Sequence, residues 1–203
     1  ACYSQSKQPH ELADKVVPLT FAMYGTAAYK LMHDYKNLNN KNRAKYQQFL
    51  ELFFNTAMAT FGNCISGSKP FSAISIVPST DHAKKGQHPL EAITRNYLPA
   101  LPRIDTFFTK VRELREIDPW YAQFHSIDKN VLSHVLVVED TWVTGSTAQS
   151  LASALKMRGA KKVTIVPIAR ALNKKIPVAS IVEKRIQETR FDWNVCPNCG
   201  NQH

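Results

Sequence analysis

The chain has 203 residues, 44% of them hydrophobic, and a net charge of +10 from 26 Lys and Arg against 16 Asp and Glu. That length buries one core and predicts a single domain with appendages. No apolar run approaches a membrane span and the amino terminus lacks the apolar core of a signal peptide, so a cytoplasmic protein is expected. The basic balance suits a polyanionic small ligand or a nucleic acid, and charge alone does not separate them.

From the amino terminus, Cys2 to Val17 is polar and irregular. Leu19 to Tyr35 mixes aromatic and small residues around Gly25 and reads either as a hairpin or as a strand followed by a short helix. It ends in Tyr35 and Lys36, before a polar turn from Asn37 to Asn42. Arg43 to Thr60 is the clearest amphipathic helix, with Tyr46, Phe49, Leu50, Phe53, Ala57 and Met58 at helical spacing. That stripe reads as core rather than as a binding face. Gly62 to Pro70 reads as a loop, Ala73 to Val77 as a short buried strand, and Pro78 to Asp81 as a sharp turn out of it. His82 to Pro89 is a basic loop, Leu90 to Leu98 a short helix, and Pro99 and Pro102 break the chain. Ile104 to Tyr121 is charged and aromatic and supports no single assignment. Val131 to Val138, Thr147 to Arg158 and Lys162 to Pro167 predict strand, helix and strand, with Gly159 as helix C-cap. Ile176 to Ile186 is a last strand or helix, and a cysteine-containing tail follows. Buried strands alternating with helices predict an α/β fold, a mostly parallel central sheet flanked by helices. Ligands of such sheets bind at the carboxyl ends of the strands.

Residues 135–147 carry the chemistry. Val135 to Val138 lack polar alternation and read as a buried parallel strand. Glu139 and Asp140 follow, then Thr144, Gly145, Ser146 and Thr147, which open a helix. The first N–H groups of a helix have no intrahelical partner and favour an anion, above all a phosphate. Ionised carboxylates only accept hydrogen bonds. A phosphate site beside acceptors for hydroxyls describes a pocket for a ribose 5-phosphate. No Ser/His/Asp arrangement and no P-loop is present.

This stretch resembles the PRPP-binding motif of the type I phosphoribosyltransferases: aliphatics, two acids, two further positions, then Thr-Thr-Gly-x-Thr or a near variant. Val135 to Asp140, Thr144, Gly145 and Thr147 match it, whereas Thr141 and Trp142 stand where small aliphatics are usual. The likeness is strong over residues 135–170. A weaker one to the ComF-like branch, with its cysteine-rich ends, covers much of the remainder. The resemblance implies a phosphoribosyltransferase-like domain over residues 1–195, a small hood near 17–42, and a tail at 196–203. It implies transfer of phosphoribose from PRPP with Mg²⁺ to an unidentified acceptor, releasing pyrophosphate. Glu139 and Asp140 would serve the ribose and the reacting centre, and Thr144, Gly145, Ser146 and Thr147 the 5-phosphate. Ser79 and Thr80 occupy the place of the pyrophosphate loop, with Lys84, Lys85 and Lys36 as further phosphate contacts or surface lysines. His88 reads as a pyrophosphate or proton-transfer group or as a polar surface residue, and Arg170 as a substrate contact. The alternatives are a PRPP- or nucleotide-binding regulator without chemistry, or a ComF-like protein associated with nucleic acid. Nucleic acid is the less favoured partner, and a homodimer is compatible with the family.

Cys196 and Cys199, with Pro197, Asn198 and Gly200, have the spacing of a zinc knuckle. Half a site is local. Cys2 is the natural third ligand, by the resemblance, and His203 or His10 the fourth, giving structural Zn²⁺ that joins the termini; free thiols are the other reading. Cys64 lies beside apolar residues and reads as buried. A disulfide framework does not suit a cytosolic protein with one dominant core.

Overall fold

A computed structural model of the chain describes residues 11–79, 88–94, 101–109, 116–173, Lys184 and 192–202. Apolar runs form its centre: β3 (Ala73–Ile76), β6 (Val135–Trp142) and β7 (Val163–Leu172). With β1 (Lys15–Val16) and β2 (Thr20–Met23) they make a five-stranded sheet in which β1 and β2 both pair with β7, then β6, then β3. Every pairing is parallel, with Val135 opposite Val163 and Ala73 opposite Val135. The α/β class and parallel sheet expected from sequence are those found.

β1 and β2 are one strand interrupted. Val17 N–H donates to the Ile165 carbonyl and Leu19 N–H to that of Pro167, at 2.9 and 3.0 Å. The intervening bond would run from residue 167 to Val17, and Pro167 has no N–H to give. The stretch before Val17, polar and irregular in sequence, thus supplies a sheet strand, and the proposed hood segment 17–42 begins within the sheet. The rest of that segment includes α1 (Ala27–Asp34), so the strand-then-helix alternative holds there and no hairpin forms.

Alternation along β6 divides the core. Leu136 and Val138 face α2 (Arg43–Ser66) and α3 (Pro89–Thr94), packing with Leu50, Phe54, Met58, Phe61 and Ile65. Val135 and Val137 face α4 (Ser146–Met157), packing with Leu151, Leu155 and Ile165. α2 runs six residues past Thr60, absorbing Gly62 and Cys64, so the loop expected from Gly62 begins only at Gly67. Its last carbonyls explain why: Lys15 Nζ donates to Ile65 O and Lys162 Nζ to Ser66 O, at 3.0 and 2.9 Å, and Gly67 N–H closes on Asn63 O at φ +71°. Phe49, expected in the core stripe, is 54% exposed; Phe54 takes that place. β4 (Thr106–Phe108) and β5 (Ala122–Phe124) form a separate antiparallel pair within and just beyond the stretch that sequence left unassigned. Residues expected as a final element, 176–186, lie almost wholly outside the described residues.

His134, just before β6, is completely buried. Its Nδ1 lies 2.8 Å from Lys69 O and its Nε2 2.9 Å from Thr164 Oγ1. A carbonyl only accepts, so Nδ1 carries the proton, Nε2 accepts from the threonine, and the ring is neutral. Burial lowers its pKa from 6.5, against the opposing pull of the Lys69 carbonyl. Below pH 6.5 the unfolded chain therefore takes up this proton before the folded one does, and stability falls until the folded value is passed. Thermal melts between pH 7.5 and 5 should show this slope in the natural protein and lose it in His134→Gln. Equal slopes in the two proteins would reject the assignment.

Candidate functional site

All the parallel strands end at one edge of the sheet, and the acid pair lies there. β6 does not stop at Val138: pairing with β7 keeps Glu139, Asp140, Thr141 and Trp142 extended. Neighbouring side chains of a strand point to opposite faces, so the two carboxyl groups leave β6 on opposite sides. They are electrostatically unlike as well.

Asp140 follows Leu136 and Val138 to the side of α1 and α2. Its Oδ2 accepts from Tyr35 Oη at 2.7 Å and from Lys36 Nζ at 2.8 Å, and its Oδ1 accepts from Thr141 N–H. Burial is the largest single influence and would raise its pKa. The Lys36 charge and the hydrogen bonds from Lys36 and Tyr35 together outweigh it, holding the carboxyl below its ordinary 3.8. Tyr35 is wholly buried; burial and then Asp140 push its phenol well above 10.0, so it stays a neutral donor. The residue caps α1, and its own carbonyl accepts from Gln47 of α2 at 3.2 Å.

Glu139 has no such support. It is buried, and its Oε2 has no hydrogen-bond partner among the described residues. Burial first, then the charge of Asp140, raise its pKa well above 4.5, with Lys36 pulling the other way. The two neighbouring acids are therefore shifted in opposite directions, Glu139 up and Asp140 down. His88, immediately before α3, is close enough to feel Asp140; burial nevertheless lowers its pKa from 6.5. Its Nδ1 accepts from Leu90 N–H at 3.2 Å, so the proton of the neutral ring is on Nε2.

The turn to α4 is built on Gly145, at φ +76°. Trp142 lies across it: a Cβ there would meet the indole Cζ2 at 2.0 Å. The unusual tryptophan is thus turned into the core beside α4. Thr144 Oγ1 lies 3.2 Å from Ser146 Oγ, and Ser146 and Thr147 begin the helix. No acidic residue sits in its first turn, which leaves the positive end of the helix uncompensated from within.

The structure therefore brings Lys36, His88 and Asp140 together, with Glu139 on the opposite side of β6 and residues 144–147 one turn further on. Ser79 is at the same edge, three residues beyond β3. Arg170 is exposed on β7, opposite Trp142 and Phe21 in register. Thr80, Lys84 and Lys85 lie outside the described residues. So do Cys2, His10 and His203, while Cys196 and Cys199 meet Cys64 at the other end of the sheet. Cys64 is half-buried in that cluster, not enclosed by the apolar core as expected. Extending the α2 helix past Thr60 was the signal that would have exposed its side. Tyr35 was also missed, and no spacing links it to a carboxylate 105 residues away.

No protein-family model matches this sequence, and no curated protein matches it. Among solved structures, the chain is similar to a hypoxanthine phosphoribosyltransferase from Staphylococcus aureus, with a TM-score of 0.33 and 15% identity. The likeness covers 63% of this chain and 65% of that one, just under two thirds of its length. At that distance it defines neither a shared family nor a shared activity. No helix among the described residues is long and apolar enough to cross a membrane.

Two substitutions test the geometry. Gly145→Ala should cost about 1–3 kcal/mol from the backbone alone, and more from the clash with Trp142. Combining it with Trp142→Leu should recover the clash but not the backbone cost; a single mutant as stable as the natural protein rules this turn out. Lys36→Met should raise the Asp140 pKa, because burial is then opposed only by the hydrogen bonds from Tyr35 and Thr141 and no longer by the lysine charge. A carboxyl titration followed by NMR that does not move would show that Lys36 is not what keeps Asp140 ionised.

Proposed function

We propose that the chain is a PRPP-dependent phosphoribosyltransferase with the type I arrangement, using Mg²⁺ and releasing pyrophosphate. The observation that carries the reading is the pairing of an ionised Asp140 with a helix start at Gly145, on one strand–turn–helix connection at the carboxyl edge of a parallel sheet. The ComF-like branch is the reading within that class, on account of the cysteine-bearing end.

In this reading the amino-terminal N–H groups of α4 receive the 5-phosphate, with the hydroxyls of Thr144, Ser146 and Thr147 closing around it. That fixes the ribose, and the ribose hydroxyls compete with Lys36 and Tyr35 for Asp140. The released Lys36 ammonium is then placed for phosphate oxygens. As the bond from C1 to pyrophosphate lengthens, positive charge grows on the ribose ring, and the fixed negative charge of Asp140 is worth more there than in the ground state. Glu139, with its pKa raised by burial and an unpartnered oxygen, can bond a hydroxyl. His88, neutral with its proton on Nε2, is suited to proton exchange with the acceptor or leaving group. Asp140 is a hard oxygen donor of the kind Mg²⁺ takes, beside water and phosphate oxygens, and the ion would neutralise the departing pyrophosphate. Ser79 and Thr80 are the proposed pyrophosphate loop.

One observation favours a binding protein without turnover: Asp140 is already neutralised by an ion pair at 2.8 Å. Pyrophosphate release measured over a panel of nucleobases and small amines separates the two readings. The enzyme reading expects release with at least one acceptor, and PRPP binding without release for any of them selects the regulator. Asp140→Asn should weaken Mg²⁺–PRPP binding or turnover at least about tenfold, roughly 1.4 kcal/mol. Unchanged affinity and turnover would remove the central claim.

A further inference from the structure

At the end of the sheet away from the acid site, three sulfurs converge. Cys64 Sγ lies 3.4 Å from Cys199 Sγ, and the Sγ atoms of Cys64, Cys196 and Cys199 all lie within 4.8 Å of one another. Thiolates about 2.3 Å from one tetrahedral zinc ion stand about 3.8 Å apart, so the spacing is that of a shared ion. No disulfide joins them.

The backbone around them is shaped to the same end. Cys196 N–H donates to Asn201 O at 3.0 Å and Gly200 N–H to Cys196 O at 2.9 Å, while Val195 pairs with Gln202. This closes a tight hairpin whose reversal needs Gly200 at φ +73°. Asn198 N–H points at Cys196 Sγ from 3.4 Å, the kind of bond that stabilises a thiolate. The Asn198 side chain donates to Cys64 O at 3.0 Å and reaches Cys64 Sγ at 3.4 Å. Hairpin and helix are therefore held in register by a residue that bonds both, and Trp193 packs on Phe53 of α2 with ring centroids 5.5 Å apart.

We propose that Cys64, Cys196 and Cys199 bind a structural zinc ion that clamps the carboxyl-terminal hairpin to the end of α2. The assignment replaces Cys2 with Cys64 as the third ligand. A structural zinc site takes four donors, and the described residues supply these three. The ion has no part in the chemistry at Asp140. Cys64 is beside the carboxyl end of α2, whose final carbonyls bond Lys15 and Lys162 at the starts of β1 and β7. Asp140 is near the far end of β6, on the order of 15 Å along the strand direction. The clamp fixes the end of α2 against the sheet, and the hairpin brings Cys196 into the same core as Phe54 and Phe61.

The test uses the full chain purified anaerobically under reducing conditions, with Zn²⁺ and Co²⁺ as probes. Zinc content should be close to one per chain, and a strong chelator should lower the melting temperature by at least about 4 °C. The Co²⁺-loaded protein should show tetrahedral d–d bands and sulfur-to-cobalt charge transfer, and Cys64→Ser should lose roughly a quarter to a third of that charge transfer. Cys199 is exposed, so Cys199→Ser opens no cavity and serves as the second variant if Cys64→Ser fails to fold. Its cobalt band should weaken by the same fraction. An unchanged charge-transfer band in a folded Cys64→Ser protein overturns the ligand set. Absence of metal with all three thiols alkylated, or recovery of a Cys64–Cys199 disulfide in place of metal, overturns the site.

Discussion

β6 and β7 pair in parallel from Val135 opposite Val163 to Trp142 opposite Arg170, and the rest of the molecule hangs on that ladder. Because the pairing continues beyond the apolar run, Glu139 and Asp140 are held in extended backbone rather than in the turn after it. The ladder also sets alternation, and alternation separates the cores: one beneath α2, the other beneath α4. Slipping the register by one residue would send Leu136 and Val138 to the α4 face and remove Asp140 from Tyr35 and Lys36.

The same constraint makes two adjacent carboxyls into different acids. Asp140 meets a buried phenol and a lysine, and their donors and charge overcome the cost of its burial. Glu139 bonds neither, so burial and the neighbouring anion push its pKa up, against the weaker pull of the Lys36 charge. The Lys36–Asp140 ion pair thus depends on the alternation of β6 as much as on the two residues themselves.

The two ends of the sheet are built from different chemistry. At the carboxyl edge the donors are oxygens, a lysine and an open helix start. At the amino edge, lysines from β1 and β7 satisfy the carbonyls that end α2, and the thiols of Cys64, Cys196 and Cys199 gather beside them.

Much of this was legible in local pattern. Apolar runs without alternation marked β3, β6 and β7, the glycine-centred turn after Asp140 marked the start of α4, and the spacing of Cys196 and Cys199 marked a tight turn that brings two sulfurs together. Each is a short-range signal, set by backbone sterics and by which residues can be buried. Sequence could not show β1 in a polar stretch, because its strand character comes from the edge of β7 and not from its own side chains. Nor could it show where α2 ends, since Lys15, Lys162 and the hairpin hold the last turns in place. The partners of the functional groups were decided by tertiary structure alone. Tyr35 reaches Asp140 across 105 residues and Cys64 reaches Cys199 across 135, and no local periodicity encodes such contacts. They exist because the packing of α1 and α2 on the sheet brings distant side chains to one point, where burial then sets which of them carry charge.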